Sequence, residues 1–173
     1  MSSGGELAGH PAAGAVRANS TSARTPMIRV SAVLAVDGAG RLLVVRKRGT
    51  QVWMQPGGKP EPGETPAETL ARELHEELGV RLDASELEPL GTFTTAAANE
   101  AGTTLIADVF RATIEHPVVA DAEIDAVSWM HPRDFAHHQL APLITEHMLA
   151  LMPRPGRGAA AGTSTDTTQP LLP

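Results

Sequence analysis

Gly58-Lys59-Pro60-Glu61-Pro62-Gly63-Glu64-Thr65-Pro66-Ala67-Glu68-Thr69-Leu70-Ala71-Arg72-Glu73-Leu74-His75-Glu76-Glu77-Leu78-Gly79-Val80 is the stretch whose reading decides the fold of this chain. It opens as a loop and becomes a helix at a definite place. Thr65 can accept hydrogen bonds from the free amides of a first turn, Pro66 needs no amide partner at the first helical position, and Glu68 completes a reciprocal cap. Gly79 is the stop, because helices commonly end in a left-handed residue that glycine adopts without steric cost. Between these signals Leu70, Ala71, Leu74 and Leu78 form an apolar stripe, while Glu73, Glu76 and Glu77 stand at i, i+3 and i+4 on another face. At about 100° per residue, the two faces are centred roughly a third of a turn apart. The helix is therefore expected to pack with one face and to aim three carboxylates sideways.

Three acids that close repel one another, by a few tenths of a kcal/mol per exposed i, i+4 pair and by more when partly buried. Arg72 reads as pointing elsewhere on the helix, so a bound divalent cation is the stronger compensating charge. Mg²⁺ and Mn²⁺ prefer oxygen ligands, and Mg²⁺ sites typically combine a few carboxylates with substrate phosphates. For an isolated pattern of this kind a solvated acidic face is the plain alternative. The preceding loop favours the ion: Gly57-Gly58 let the backbone approach a ligand closely, a carbonyl there is a further donor, and Lys59 can meet a phosphate as a point charge.

Working outward, residues 28–36 read as a strand ended by the turn pair Asp37-Gly38, and residues 41–46 as its hairpin partner. Residues 51–62 read as a loop. Residues 90–96 and 104–113 are strand-like around the turn at Asn99-Glu100-Ala101-Gly102, and residues 125–130 form a short strand. After His131-Pro132, the spacing of Phe135, Leu140, Leu143, Ile144, Met148 and Leu149 predicts a C-terminal helical region. Strands and helices intermix, so the class is α/β (α+β), a mixed sheet covered by helices. Residues 1–26 and 153–173 are rich in Gly, Ala, Ser and Thr without periodicity. Both read as disordered tails around a folded domain at 27–152.

Composition narrows the function. Of 173 residues 42% are hydrophobic and 20% charged, which suits one packed domain. There is no Cys, which removes disulfides, thiolate catalysis and Cys-ligated metals from consideration. A net charge of −6 argues against a nucleic-acid polymer as partner. No apolar run approaches the ~18 residues of a membrane span, and the N-terminal tail lacks the apolar core of a signal peptide. No membrane partner and a cytoplasmic location are expected.

Gly58, Glu64 and the run Arg72-Glu73-Leu74-His75-Glu76-Glu77-Leu78-Gly79-Val80 match the Nudix box, the signature of the Nudix hydrolase family, at every fixed position. The flanking strands, the loop carrying Trp53 and the segment from Glu123 to Trp129 also resemble this family, so the likeness extends over most of 27–152. It implies the Nudix α/β/α sandwich, a curved mixed sheet between helices. It also implies hydrolysis of a nucleoside diphosphate linked to another moiety, with Mg²⁺ (or Mn²⁺) as cofactor and a small nucleotide as partner.

Residue by residue, the resemblance makes Glu73, Glu76 and Glu77 metal ligands, one of them or a later carboxylate helping to deprotonate water. The Gly57 carbonyl is a further ligand. Glu64 and Arg72 look like a structural ion pair, with Gly58, Gly63 and Gly79 conformational. Glu123 is chosen as the additional catalytic carboxylate, with Asp121 and Asp125 as runners-up. Among Arg46, Lys47 and Arg48, one is expected to help hold substrate phosphate, as is Lys59. Trp53 and Phe93 are read as core residues with base stacking as the alternative. His75 reads as exposed, and His131, His137 and His138 do not read as a metal site, because adjacent residues on a helix point apart.

Substrate markers are sparse. Thr95 and Ala96 stand where ADP-ribose pyrophosphatases resembling the family carry a proline, and there is no Tyr of the diadenosine polyphosphate type. What remains is a MutT-like enzyme acting on a nucleoside triphosphate, canonical or not. The alternatives are an ADP-ribose or nucleotide-sugar pyrophosphatase and a non-catalytic nucleotide sensor. An isopentenyl diphosphate isomerase shares the fold but would need a catalytic Cys. A homodimer stays open.

Overall fold

The structure is a computed structural model that describes residues 25–115 and 117–153. Nearly all of both expected tails, residues 1–24 and 154–173, lies outside the described residues. Near the start of the described residues the Pro26 carbonyl accepts a hydrogen bond from the Thr104 amide at 2.8 Å.

Strands β1 (Met27–Leu34), β2 (Leu42–Lys47), β3 (Val52–Met54) and β4 (Gly57–Gly58) precede helix α1 (Pro66–Leu78). Strands β5 (Glu88–Ala96), β6 (Thr104–Arg111) and β7 (Ile124–Met130) follow, then a two-residue strand β8 (Gln139–Leu140) and a last helical turn α2 (Leu149–Leu151). The sequence places β1 and β2 in one hairpin; the structure does not. They touch only at their turn, where Val36 bridges Leu42 and the Leu43 amide donates to the Ala35 carbonyl at 3.0 Å. Beyond it they part into two four-stranded mixed sheets, ordered β4-β1-β6-β5 and β7-β2-β3-β8. β1 runs parallel to β6 from Met27↔Thr104 to Leu34↔Arg111. The physical reason is burial on both faces: each strand presents alternate residues to two different cores.

Ala32, Leu34, Leu42 and Val44 face one core together with Leu143, Ile144 and Met148 from the C-terminal segment. Val33, Ala35, Leu43 and Val45 face the other, against Leu70, Leu74 and Leu78 of α1. This is the α/β/α layering, divided over two sheets. The expected C-terminal helical region is present over 142–151 but is interrupted before that. A 3₁₀ segment spans Pro132–His137, β8 pairs in parallel with β3, and residues Ile144–Met148 form a π-helical turn before α2. The Ala141 amide donates to the Trp53 carbonyl at 2.8 Å, a sheet bond that a continuous helix could not make. The 51–62 loop likewise holds the short strands β3 and β4, because Gly57 and Gly58 pair with Ala32 and Ser31 of β1.

Candidate active site

α1 starts and stops where the sequence places it. Thr65 and Glu68 form the reciprocal cap, and Gly79 closes the helix at φ 68°, with its amide donating to the His75 carbonyl at 3.0 Å. With its ends fixed, the helix turns its leucines to the core and its acids toward the Gly57-Gly58 strand.

Each glycine of that strand makes room for something different. Gly57 has φ 134°, and a Cβ on it would lie 2.1 Å from the Ser31 carbonyl oxygen. Its amide donates to Glu77 Oε2 at 3.0 Å. A Cβ on Gly58 would lie 2.3 Å from the Glu73 carboxyl group. The two glycines thus let the backbone slide under the carboxylates.

Glu77 is only 2% exposed, and its second oxygen, Oε1, is buried without any hydrogen-bond partner. Burial pushes its carboxyl up to about 7; the Gly57 amide and Lys47 oppose this, and the charges of Glu73 and Glu123 add to it. Burial also raises the Glu73 carboxyl, against the lowering effect of Arg72.

Arg72 does not point elsewhere. Its guanidinium spans three acids, with Nε 2.6 Å from Glu64 Oε1 and Nη1 at 3.0 Å from Glu73 Oε1 and 3.1 Å from Glu76 Oε2. It also donates to the Lys59 carbonyl at 3.0 Å. The long side chain reaches the adjacent Glu73 and, one turn on, Glu76 at i+4, which a projection of the helix alone hides. Hydrogen bonds from Arg72, and then from the Glu61 amide, hold the Glu64 carboxyl down to about 2.

The loop before β7 is sewn to α1. The last helical carbonyls accept from it: Glu77 from the Asp121 amide at 2.9 Å, and Leu78 from the Val119 amide at 3.3 Å. Ala122 takes φ 52°, rare for a residue with a side chain. The next residue, Glu123, forms an ion pair with Lys47. Asp125 instead pairs with Arg46 at 3.1 Å. The three basic residues at the end of β2 therefore separate. Lys47 lines the cleft described next, Arg46 lies over the Trp53 ring at 5.2 Å, and Arg48 Nη2 reaches only the Ala122 carbonyl at 3.5 Å. Strand alternation already carries this signal, since Lys47 falls on the same side of β2 as Leu43 and Val45, which pack on α1.

A cleft of about 540 Å³ opens where the two sheets part. One end is polar, with Lys47, Gly57, Gly58, Lys59, Glu73 and Glu123. The lining also includes the alkyl groups of Ile28, Val30, Leu105, Ala141 and Leu143 and the polar side chains of Ser31, Gln55, Asn99 and Glu100. Lys59 reaches across to Glu100 of the β5–β6 turn at 3.5 Å. Neither Trp53 nor Phe93 lines the cleft; both pack against the core. Gln55 and Ala141 were not singled out from the sequence, and Leu143 was read there only as part of a helical pattern. A loop residue without periodicity gives no signal until the sheets place it.

Among the described residues no three acidic or histidine side chains are gathered closely enough to enclose an ion. Glu73 and Glu76 lean on Arg72, and Glu77 on the Gly57 amide. The donor chemistry nevertheless fits a hard divalent cation. The oxygens are carboxylate and carbonyl, and one of them is buried and lacks any partner.

Two mixed sheets between helical layers, with an acid-bearing helix capped against a glycine strand, define an α/β/α domain of the Nudix type. The NUDIX domain pattern matches residues 25–152. The chain belongs to this family, that of the Nudix hydrolases. It is 37% identical over 94 residues to a MutT-like protein of Streptomyces ambofaciens, spanning 54% of this chain and 56% of that protein. The match thus spans about half the length of that relative. An isopentenyl-diphosphate Delta-isomerase of Leifsonia xyli is 34% identical over 137 residues, covering 72% of this chain and 73% of the isomerase. In fold, the chain is similar to the crystal structure of a MutT protein from Methanosarcina mazei, with TM-score 0.60 and 22% identity over 74% of this chain and 94% of that one. Among the described residues no helix is long and apolar enough to cross a membrane.

Proposed function

We propose that this chain hydrolyses the diphosphate linkage of a small nucleotide, a nucleoside triphosphate foremost, with Mg²⁺ or Mn²⁺ as cofactor. The observation that carries this reading is the buried Oε1 of Glu77, without a partner among the described residues, on a carboxyl group whose other oxygen accepts from the amide of Gly57, a residue that lines the polar end of a nucleotide-sized cleft. Among the described residues nothing satisfies that oxygen, and a divalent cation would. Glu73, Glu76, Glu77 and the Gly57 carbonyl would hold the ion, with Glu123 as the further carboxylate. The ion, when bound, supplies charge neutralisation at the phosphates and makes a water more acidic.

The remaining work belongs to the chain. Gly57 and Gly58 admit the diphosphate close to the backbone. Lys47, already in the cleft, can exchange Glu123 for a phosphate oxygen and so free that carboxylate to accept a proton from the attacking water. Lys59 can do the same from Glu100. Arg72 keeps Glu73 and Glu76 from springing apart. Catalysis of this kind is chiefly positioning and charge compensation.

The isomerase likeness supports a second reading, but the chain has no Cys to serve as the acid-base residue of that chemistry. The test is phosphate or pyrophosphate release from a panel of nucleoside triphosphates, ADP-ribose and nucleotide sugars, with Mg²⁺, Mn²⁺ and EDTA. Metal-dependent turnover of a triphosphate supports the proposal. Turnover of ADP-ribose or a nucleotide sugar alone moves the substrate class. Tight binding of a nucleotide without any turnover makes the domain a sensor and refutes hydrolysis.

A further inference from the structure

We propose that Gln55 reads the base of the nucleotide, its side-chain amide hydrogen-bonding the base edge from the wall of the cleft. This rests on the reading of the cleft as a nucleotide site and adds what selects among nucleotides there.

Besides Gln55, the polar members of the lining outside the acidic end are Ser31, Asn99 and Glu100; much of the rest is alkyl, with Ile28, Val30, Leu105, Ala141 and Leu143. Such a surface gains from covering any flat base but cannot tell one edge from another. No aromatic ring lines it, so stacking on a ring does not supply the choice either. Gln55 stands among these residues, is only 8% exposed, and has an Oε1 shut off from solvent that accepts no hydrogen bond. Buried side-chain amides are normally satisfied within the fold. The oxygen of this one is not, among the described residues, although its backbone neighbourhood is fixed: the Pro56 carbonyl accepts from the Val33 amide at 3.1 Å, and Gly57 pairs with Ala32.

The terminal torsion of a glutamine is broad and roughly two-fold. The amide can therefore turn to present its oxygen, its NH₂ or both in one plane. A planar donor–acceptor pair is what a base edge offers, as in the two-point contact of glutamine with adenine. Because Gln55 is two residues from Gly57, the reader and the diphosphate end are carried on one short, pinned segment.

The test uses the full chain with Mg²⁺ and paired substrates that differ in one exocyclic group: adenosine against inosine triphosphate, and cytidine against uridine triphosphate. Wild type is expected to prefer some bases, chiefly through KM. In Gln55→Leu the spread in kcat/KM among bases should shrink by at least ~10-fold with kcat little changed. Its metal-free Tm should not fall, because an apolar side chain of similar size replaces an unmatched buried amide. Gln55→Met repeats the test should the leucine variant fail to fold. Gln55→Glu, with acceptors only, should change the ranking within each pair, because exchanging amino for oxo also turns the neighbouring ring nitrogen from an acceptor into an N–H donor. A wild type indifferent to the base overturns the proposal, as does a leucine or methionine variant that slows every nucleotide equally. Either result leaves the hydrolase reading standing; a wild type that turns over and binds no nucleotide overturns both.

Discussion

The adjacent glycines Gly57 and Gly58 should fail in different ways when each receives a single methyl group. In Gly57→Ala the new Cβ would meet a backbone oxygen, that of Ser31, at 2.1 Å, and the Ala32 Cα at 3.0 Å. Backbone cannot swing aside as a side-chain end can. The φ of 134° is also one that side-chain-bearing residues rarely adopt, at a cost of about 1–3 kcal/mol on its own. Relief requires β4 to leave β1, which gives up the Ala32↔Gly57 pairing and the amide bond to Glu77. The sum is about 3 kcal/mol or more, and at about 4 °C per kcal/mol for a domain of this size Tm should fall by roughly 12 °C.

In Gly58→Ala the clash at 2.3 Å is with the Glu73 carboxyl group, the far end of a flexible side chain, and φ lies outside the left-handed region. Glu73 can rotate away, so Tm should move by no more than about 4 °C, or ~1 kcal/mol. The displaced carboxylate is a proposed ligand, so kcat in Mg²⁺ should fall by about 10²-fold. Thermal melts in EDTA and steady-state kinetics on the same two samples separate the cases. A Gly58→Ala protein that melts as low as Gly57→Ala, or one that turns over normally, refutes the reasoning.

Glu76→Gln and Glu77→Gln should each lower kcat by at least ~10²-fold in Mg²⁺ while remaining folded, and normal turnover by either variant counts against the site. Arg72→Ala should lower both Tm, by several degrees, and rate, since it strips one cation from Glu64, Glu73 and Glu76 together; an unchanged melt contradicts the network. Glu64, held down to about 2 against an ordinary value of 4.5, contributes stability that is complete above about pH 4.5 and disappears as the pH falls toward 2. Melts across that window should show the loss in wild type and a shallower one in Glu64→Gln. Deleting residues 1–24 should leave turnover unchanged, because among the described residues the chain joins the sheet at Pro26; a large loss would place the tail in the site.

Local chemistry was the legible part. Thr65, Pro66, Glu68 and Gly79 mark α1 within its own residues, because caps are settled by neighbours a few positions away. Alternating apolar runs mark β1, β2 and β7 for the same reason. Partner choice was not legible. β1 and β2 look like a hairpin through Asp37-Gly38, yet each has two apolar faces, and only the whole layer arrangement decides that they belong to different sheets. The C-terminal stretch carries helical spacing, but the bond from the Ala141 amide to the Trp53 carbonyl wins locally and breaks it. In the site, residue types and spacing point to Glu73, Glu76 and Glu77. Which of Arg46, Lys47 and Arg48 enters the cleft needs the strand face, and Gln55 needs the cleft itself.

The guanidinium of Arg72 has a consequence for how the protein is made. Arg72 already offsets part of the repulsion among Glu64, Glu73 and Glu76 from within, one charge against three, so the newly synthesised domain need not wait for an ion before it closes. A cation arriving at the proposed site would compete with that internal cation for Glu73 and Glu76, while Glu77 Oε1 stands sealed and, among the described residues, without a partner. Loading should therefore be graded, with the interior carboxylate engaged first and the outer pair surrendered by arginine afterwards.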